Sequence, residues 1–367
     1  MIMEQVEKIM TQAVPQNIFP GGVLLVSVKG SVIFYSAFGL ANIISNERMT
    51  TDTIFDLASL TKPLATTLAV MKLVQEGRLE TDNNLGSILP QCMNTDKELI
   101  KIRNLLCHNS GFPDYRPYYL TMKDIHRNNR QDALRDMLVK EPLISIPGEK
   151  ALYSDLGFMM LRWVVETVSG KRLDHFLSDE IYEPLGLKNL FFVELNPEYK
   201  IRKSGNRIFA ATEICPWRNM LIEGVVHDDN AYAAGGIEGH AGLFGTAQDI
   251  NFLLTKLLFT FHGIFHDCLF TPELVKTFFD RQKGTDWALG FDTPSMNGSS
   301  CGRYFSPKSV GHLGFTGTSF WMELDRFVVV ILLTNRIHPS RDNIKIKEFR
   351  PVLHDAVMMD LINIGFL

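Results

Sequence analysis

Residues with strand character occur near both ends of this chain, and a long stretch with helical character separates them. Residues 23–28 and 31–35 flank Lys29-Gly30, a pair that is typical of a hairpin turn. Two more strand-like runs, residues 319–324 and 327–333, follow far along the chain. We therefore expect one antiparallel sheet built from both ends, with a helix-rich insertion between them.

The length and composition fit a globular protein with one large domain or two moderate domains. We predict a discontinuous sheet domain, residues 1–56 and 285–367, a helix-rich domain, residues 57–284, and a functional cleft between them. A net charge of -4 gives no reason to expect a nucleic-acid partner, and the longest apolar run is far too short to span a membrane. The N-terminus lacks the pattern of a signal peptide, and five cysteines without framework spacing indicate reduced thiols, so we expect a cytoplasmic location.

A serine and a lysine stand three residues apart in Ser59-Leu60-Thr61-Lys62. Pro63 fits the first turn of a helix, so the pattern places Ser59 at a helix N-terminus with Lys62 on the same face. Serine is a weak nucleophile until a neighbouring group activates it, and this lysine could do so. The plainer alternative is a helix-capping serine beside a surface lysine.

Two further segments carry candidate site residues. Tyr153 and Asp155 precede a helical pattern that runs to Gly170, and a lysine nearby would favour loss of the tyrosine proton. The segment from His312 to Phe315 precedes the later strands, and its glycine allows a close backbone approach that could offer an N–H group to an oxyanion. The alternative for Tyr153 is an ordinary buried tyrosine.

Together, and in this order, the three motifs resemble those of the penicillin-recognising serine hydrolases. The branch that they resemble contains class C β-lactamases, DD-peptidases and family VIII carboxylesterases. Residues 105–112, 183–187 and 241–249 also match segments of that branch, so the resemblance covers most of the chain. It implies an α+β fold of the β-lactamase/transpeptidase type, with the antiparallel sheet flanked by helices.

The resemblance also implies roles for individual residues. Ser59 would be the acylated nucleophile, Lys62 would share its proton, and Tyr153 would be the general base. The backbone N–H groups of Ser59 and Phe315 would form the oxyanion hole. The residues expected to bind substrate are Asp155, His312, Gly314 and His240.

The implied activity is that of a serine hydrolase that forms an acyl-enzyme with an ester or a small amide. A peptidoglycan-derived or D-amino-acid-containing peptide in the cytosol is one substrate suggested by analogy. The resemblance implies no metal and no cofactor; the expected partner is a small molecule or short peptide. Two alternatives stay open: a true β-lactamase or DD-peptidase, and a binding protein that has lost the chemistry.

Other patterns favour structural interpretations. Gly298-Ser299-Ser300-Cys301-Gly302 fits G-x-S-x-G, but its flanks indicate loops rather than the strand and helix that a nucleophile elbow needs. His262, His266 and Cys268 supply only three metal ligands. We expect residues 223–230 to form an exposed loop held by its own hydrogen bonds, although His240 could line the pocket. His108 matches a position that is structural in the family.

Two departures from the family pattern bear on substrate choice. Asp155 replaces an asparagine, so its carboxylate could pair with Lys62 or with an amine-bearing substrate and would repel an acidic one. Leu313 replaces a hydroxyl residue that helps hold the substrate carboxylate in relatives, and a hydrogen bond to a charged group contributes roughly 1.5–3 kcal/mol.

We therefore predict weak or absent β-lactamase activity. The measurement is turnover of a chromogenic cephalosporin by the purified protein. Rapid turnover would favour the true β-lactamase or DD-peptidase alternative instead.

Overall fold

A computed structural model describes residues 3–195, 207–264, 269–296 and 298–367. Its largest sheet has six strands in the order β3-β2-β1-β11-β10-β9, and a three-stranded sheet (β4-β8-β5) and a two-stranded sheet (β6-β7) accompany it. The strands are β1 (Gly21–Val28), β2 (Ser31–Asn42), β3 (Glu47–Arg48), β4 (Phe55–Asp56), β5 (Phe191–Phe192), β6 (Ile214–Cys215), β7 (Met220–Leu221), β8 (Leu243–Gly245), β9 (Val310–Leu313), β10 (Ser319–Glu323) and β11 (Val328–Thr334).

The large sheet is built from both ends of the chain, as the sequence predicts. Strand β1 pairs antiparallel with β2 and with β11, so that Leu25 lies opposite both Tyr35 and Ile331. Neighbouring side chains of β1 enter different cores: Leu25 packs in one, whereas Leu24 and Val26 pack in the other. The sheet is therefore buried on both faces, which explains the continuous apolar runs in β1 and β11.

Helices cover both faces of this sheet. Helices α1 and α12 share one core with it, and α10 packs on the opposite face, where Ser27 Oγ donates a 2.6 Å hydrogen bond to Asn251 Oδ1. The α-helices are α1 (Glu4–Ala13), α2 (Leu68–Gln75), α3 (Leu85–Ile88), α4 (Ile102–Leu106), α5 (Tyr119–Met122), α6 (Arg130–Lys140), α7 (Asp155–Ser169), α8 (Leu173–Leu177), α9 (Asp229–Ala233), α10 (Ala247–Phe261), α11 (Pro272–Phe279) and α12 (Ile346–Asn363). The α+β fold is thus confirmed, while the domain limits stay a prediction.

Ser59 lies where a strand turns into a helix. Strand β4 leads into a 3₁₀ turn, Ala58–Leu60, and a π-helical segment, Lys62–Thr67, continues directly into α2. Ala58 has a φ of 48°, a left-handed conformation that is strained for any residue with a side chain. Thr61 Oγ1 stabilises this turn by donating a 2.6 Å hydrogen bond to the Ala58 carbonyl.

Tyr153 lies two residues before the start of α7, the helix that the sequence predicts there. The Ser154 side chain caps the helix by accepting the Gly157 N–H, and Gly170, with a φ of 73°, ends it. Within the described ranges no helix has both the length and the apolar character needed to cross a bilayer.

Candidate active site

The Lys62 ammonium group lies at the centre of the site. Its Nζ atom donates hydrogen bonds to Ser59 Oγ at 3.2 Å, to Asp155 Oδ1 at 2.7 Å and to the His240 carbonyl at 3.2 Å. The Tyr153 side chain is a further hydrogen-bond partner of this ammonium group. The structure thus brings four residues from the sequence-based site together, and Lys62 is buried rather than on the surface.

These contacts keep Lys62 charged. Burial alone would lower its pKa, but the charge of Asp155 and the hydrogen bonds to Asp155 and Tyr153 outweigh this effect, and the pKa of Lys62 is raised. Asp155 could pair with Lys62 or with an amine-bearing substrate, and in this structure it pairs with Lys62.

Tyr153 lies beside this pair, with Lys62 Nζ 4.7 Å from the centre of its ring. The expectation that Lys62 would ease loss of the phenol proton is only half right. Burial raises the pKa of Tyr153, Lys62 lowers it, and Asp155 raises it again, so that the net shift is upward. In the absence of substrate Tyr153 is therefore a neutral phenol at neutral pH.

The turn after β9 brings the Phe315 amide towards Ser59. Thr316 Oγ1 donates a hydrogen bond to the Asp56 carbonyl at 2.8 Å, and Thr318 Oγ1 donates one to the Leu57 carbonyl at 3.1 Å. These bonds tie the turn to the two residues that precede the strained Ala58. Neither the Ser59 N–H nor the Phe315 N–H donates to any group in the described residues, which suits both for an oxyanion hole.

His312 is buried on the strand that leads into this turn. Its Nδ1–H donates to the Leu313 carbonyl at 2.9 Å, which leaves Nε2 as an acceptor without a partner among the described residues. Burial and the charge of Lys62 lower the pKa of His312 to about 3, so the ring is neutral. Gly314 has no room for a side chain, because a Cβ atom would lie 2.0 Å from Thr318 Oγ1.

The sequence did not indicate that Asp228 and His240 form a buried pair. The predicted exposed loop is in fact largely buried, with His227 and Asp229 almost inaccessible, and His240 is 1% exposed. His240 Nε2 lies 2.9 Å from Asp228 Oδ1. Burial opposes the charged imidazole, but Asp228 outweighs it and raises the pKa of His240.

This pair completes a compact network in which Lys62 and His240 contact the carboxylates of Asp155 and Asp228. Ligand atoms of Asp155, Asp228 and His240 all lie within 4.8 Å of one another, a spacing that could also suit a metal ion. Such an ion would have to displace Lys62 from Asp155 and the proton from His240, so the donor set fits an ion-pair network better.

Neighbouring residues support the site. His108 is buried; its Nδ1 accepts the Ser154 N–H at 3.1 Å, and its ring packs 4.6 Å from that of Tyr153, which agrees with the structural role expected of it. The rings of Trp287 and His312 also pack against Tyr153, at 5.5 and 6.1 Å. Trp287 had no recognisable motif around it.

The remaining candidates lie elsewhere. Residues 298–302 form turns against α12, where the Ser300 carbonyl lies 2.7 Å from His354 Nδ1, and no strand or helix flanks them as an elbow requires. His262 stacks on Phe327 and bonds to the Leu324 carbonyl. His266 and Cys268 lie outside the described residues.

The model of the β-lactamase family matches residues 6–351. The chain belongs to this family. Among curated proteins, this β-lactamase-family chain is 30% identical to the "Putative D-alanyl-D-alanine carboxypeptidase" of Escherichia coli (strain K12), over 92% of the chain and 82% of the relative. It is 32% identical to the N-acetylmuramyl-L-alanine amidase of Bacillus subtilis (strain 168), over 87% and 78%.

Solved structures agree on the fold. The hydrolase EstCE1, which has promiscuous acyltransferase activity, superposes with a TM-score of 0.73 at 21% identity, covering 95% of this chain and 98% of the other. At that identity the likeness concerns the fold alone. Membership of the family supports a hydrolase.

The Asp228–His240 pair should make stability depend on pH. Unfolded histidine titrates near pH 6.5, and the folded pKa of His240 is higher, so between the two values the folded state binds more protons. The free energy of unfolding should therefore fall as pH rises through this interval, and Asp228→Asn should flatten the decline. Urea unfolding from pH 6 to 9 measures it.

Asn caps a helix about as well as Asp, so this variant should retain the start of α9. Asp179→Asn, which removes a surface partner of Lys171, is the matched control and should leave the slope unchanged. Equal slopes for wild type and Asp228→Asn would contradict the assignment.

Proposed function

We propose that this protein is a serine hydrolase that forms an acyl-enzyme at Ser59 and cleaves an amide or ester bond. The observation that carries the proposal is the 3.2 Å contact between Lys62 Nζ and Ser59 Oγ beside two unpaired amide N–H groups. Ser59 and Phe315 are both accessible, and Phe315 is 48% exposed, so a substrate carbonyl can reach them. A binding protein would have no need for a buried, charged lysine against a serine hydroxyl.

Acylation requires a base that the resting site must first generate. Lys62 is charged and Tyr153 is protonated, so neither can accept the serine proton unless it gives up one of its own. Asp155 offers a route: as Ser59 Oγ bonds to the substrate carbon, Lys62 takes the serine proton and passes one of its own to Asp155 Oδ1, 2.7 Å away. The oxyanion forms against the Ser59 and Phe315 amides.

The same protons complete the cycle. The leaving group departs with a proton from Lys62, which recovers one from Asp155, and a water molecule then attacks the ester carbon. The proton of this water passes through Lys62 to Asp155. As the bond between the acyl carbon and Ser59 Oγ breaks, Lys62 returns a proton to Ser59 Oγ and recovers one from Asp155. Tyr153, as a neutral phenol, contacts Lys62 through a hydrogen bond and its ring face and so helps to hold the ammonium group in place.

The charged side chains around the cleft favour a substrate that has no carboxylate next to the bond that is cleaved. Arg341 is engaged by Glu213, with Nη2 2.5 Å from Oε2, and Arg218 by Asp229 at 2.7 Å. Arg336 lies beneath the Phe315 ring and donates to carbonyl groups. Leu313 adds no polar group, and these three arginines are already engaged by carboxylates or carbonyl groups, so none of the three is free to bind a substrate carboxylate.

The substrate class that we propose is a short peptide or acylated amino acid related to peptidoglycan. The names of the two curated relatives support this class. Of the two activities that these names describe, cleavage of an internal amide fits this site better than removal of a C-terminal residue. The neighbouring arginines are already engaged and do not offer a partner for a terminal carboxylate. The buried free thiols of Cys92, Cys107 and Cys215 are consistent with action in the cytoplasm.

Replacement of the nucleophile tests the chemistry. Ser59→Ala should reduce hydrolysis of p-nitrophenyl acetate and butyrate by at least about 1000-fold, because Lys62 contacts no other serine or threonine hydroxyl among the described residues. Ser300→Ala, in the motif that we rejected, should retain wild-type turnover. Labelling of wild type by a fluorophosphonate probe would exclude a pure binding protein, and turnover that survives in Ser59→Ala would move the chemistry elsewhere.

Two matched substrates test the specificity. A diacyl-L-Lys-D-Ala-D-Ala peptide and its C-terminal amide differ only in the carboxylate, and we expect kcat/KM to be about tenfold higher for the amide. Asp155→Asn should lower kcat/KM for both substrates and bring the amide-to-acid ratio closer to one. Lys62, no longer paired with Asp155, would then attract the carboxylate of the free acid. A wild-type preference for the free acid would instead favour a DD-peptidase.

A further inference from the structure

The Phe315 N–H belongs to the peptide group that joins Gly314 to Phe315, and the carbonyl of that group is also engaged. It accepts hydrogen bonds from the Gly317 N–H at 3.1 Å and from Arg350 Nη2 at 3.2 Å. The same Arg350 atom donates to the Thr318 carbonyl at 2.8 Å. A guanidinium group from α12 thus contacts the back of the peptide whose front faces the cleft.

Arg350 is an unusual residue to bury there. It is 5% exposed, its hydrogen-bond partners in the described residues are two carbonyl oxygens, and its Nε atom has none. Burial, with repulsion from Arg336, lowers the pKa of Arg350 to about 9. A buried charge without a carboxylate destabilises a fold, and an apolar residue of similar shape usually serves packing better.

We propose that Arg350 is a positioning residue that polarises the Gly314–Phe315 peptide and so strengthens the oxyanion-hole N–H of Phe315. The inference rests on the proposed acyl-enzyme chemistry. A cation that bonds to a peptide carbonyl draws electron density from the amide nitrogen, and hydrogen bonds in such a chain reinforce one another. No proton is transferred; Arg350 acts through the peptide and touches no substrate.

A second buried arginine provides the comparison. Arg336 donates from Nε and Nη2 to the Phe315 carbonyl, at 2.9 and 2.6 Å. The peptide group of that carbonyl has the N–H of Thr316, not that of Phe315. Both arginines therefore hold the same turn, but only Arg350 contacts the peptide that faces the oxyanion.

The test is Arg350→Met, with Arg336→Met as the matched control. Arg350→Met should keep or raise the melting temperature, because both carbonyls retain a backbone donor. It should lower kcat about tenfold with little change in KM, less than the loss of a whole oxyanion donor. Arg336→Met should lower the melting temperature, because it deprives several carbonyls of their donor.

Infrared difference spectra of a ¹³C-labelled cinnamoyl acyl-enzyme provide the decisive readout. A weaker oxyanion hole polarises the acyl carbonyl less, so its stretch should move to higher wavenumber in Arg350→Met and stay at the wild-type position in Arg336→Met. Equal shifts in both variants, or none in Arg350→Met, would overturn the inference. Absence of any acyl mass on wild-type Ser59 would instead refute the proposed function, and this inference with it.

Discussion

The three hydrogen bonds of the Lys62 ammonium hold the site together. They reach Ser59 one helical turn away, Asp155 at the start of α7, and the backbone of His240 beside β8. Three separate segments of the chain therefore converge on one charged atom. Because its burial is favourable only when paired, each partner stabilises the position of the other two.

The large sheet fixes the position of the turn after β9 relative to this cluster. With helices on both faces, its strands have little freedom, and the turn after β9 is tied by Thr316 and Thr318 to the backbone before Ser59. The distance between the proposed nucleophile and the proposed oxyanion hole thus depends on side-chain-to-backbone bonds across the cleft. The strained Ala58 persists because this surrounding structure determines it.

Features decided by local spacing could be predicted from the sequence. The contact between Ser59 and Lys62 follows from helical geometry, and the Ser154 cap and Gly170 stop follow from turn chemistry. The pairing of the strands from both ends follows from their apolar runs.

Features that depend on tertiary environment could not be predicted. The upward shift in the pKa of Tyr153 depends on burial and on Asp155 together, and neither is visible in a motif. The pair of Asp228 with His240 joins residues whose loop looked exposed. Arg350 acts on a carbonyl 36 residues away, in a pattern that resembles any surface arginine on a helix.

The construction of the sheet from both ends also governs when a new molecule becomes active. Asp56 and Thr316, which fasten the oxyanion-hole turn beside the nucleophile, are 260 residues apart. At ~5–20 residues per second, a ribosome needs roughly 13–50 seconds to travel between them. Throughout that time the chain carries Ser59 and Lys62 but not Phe315, so the proposed active site cannot be complete before the last strands of the sheet have been made.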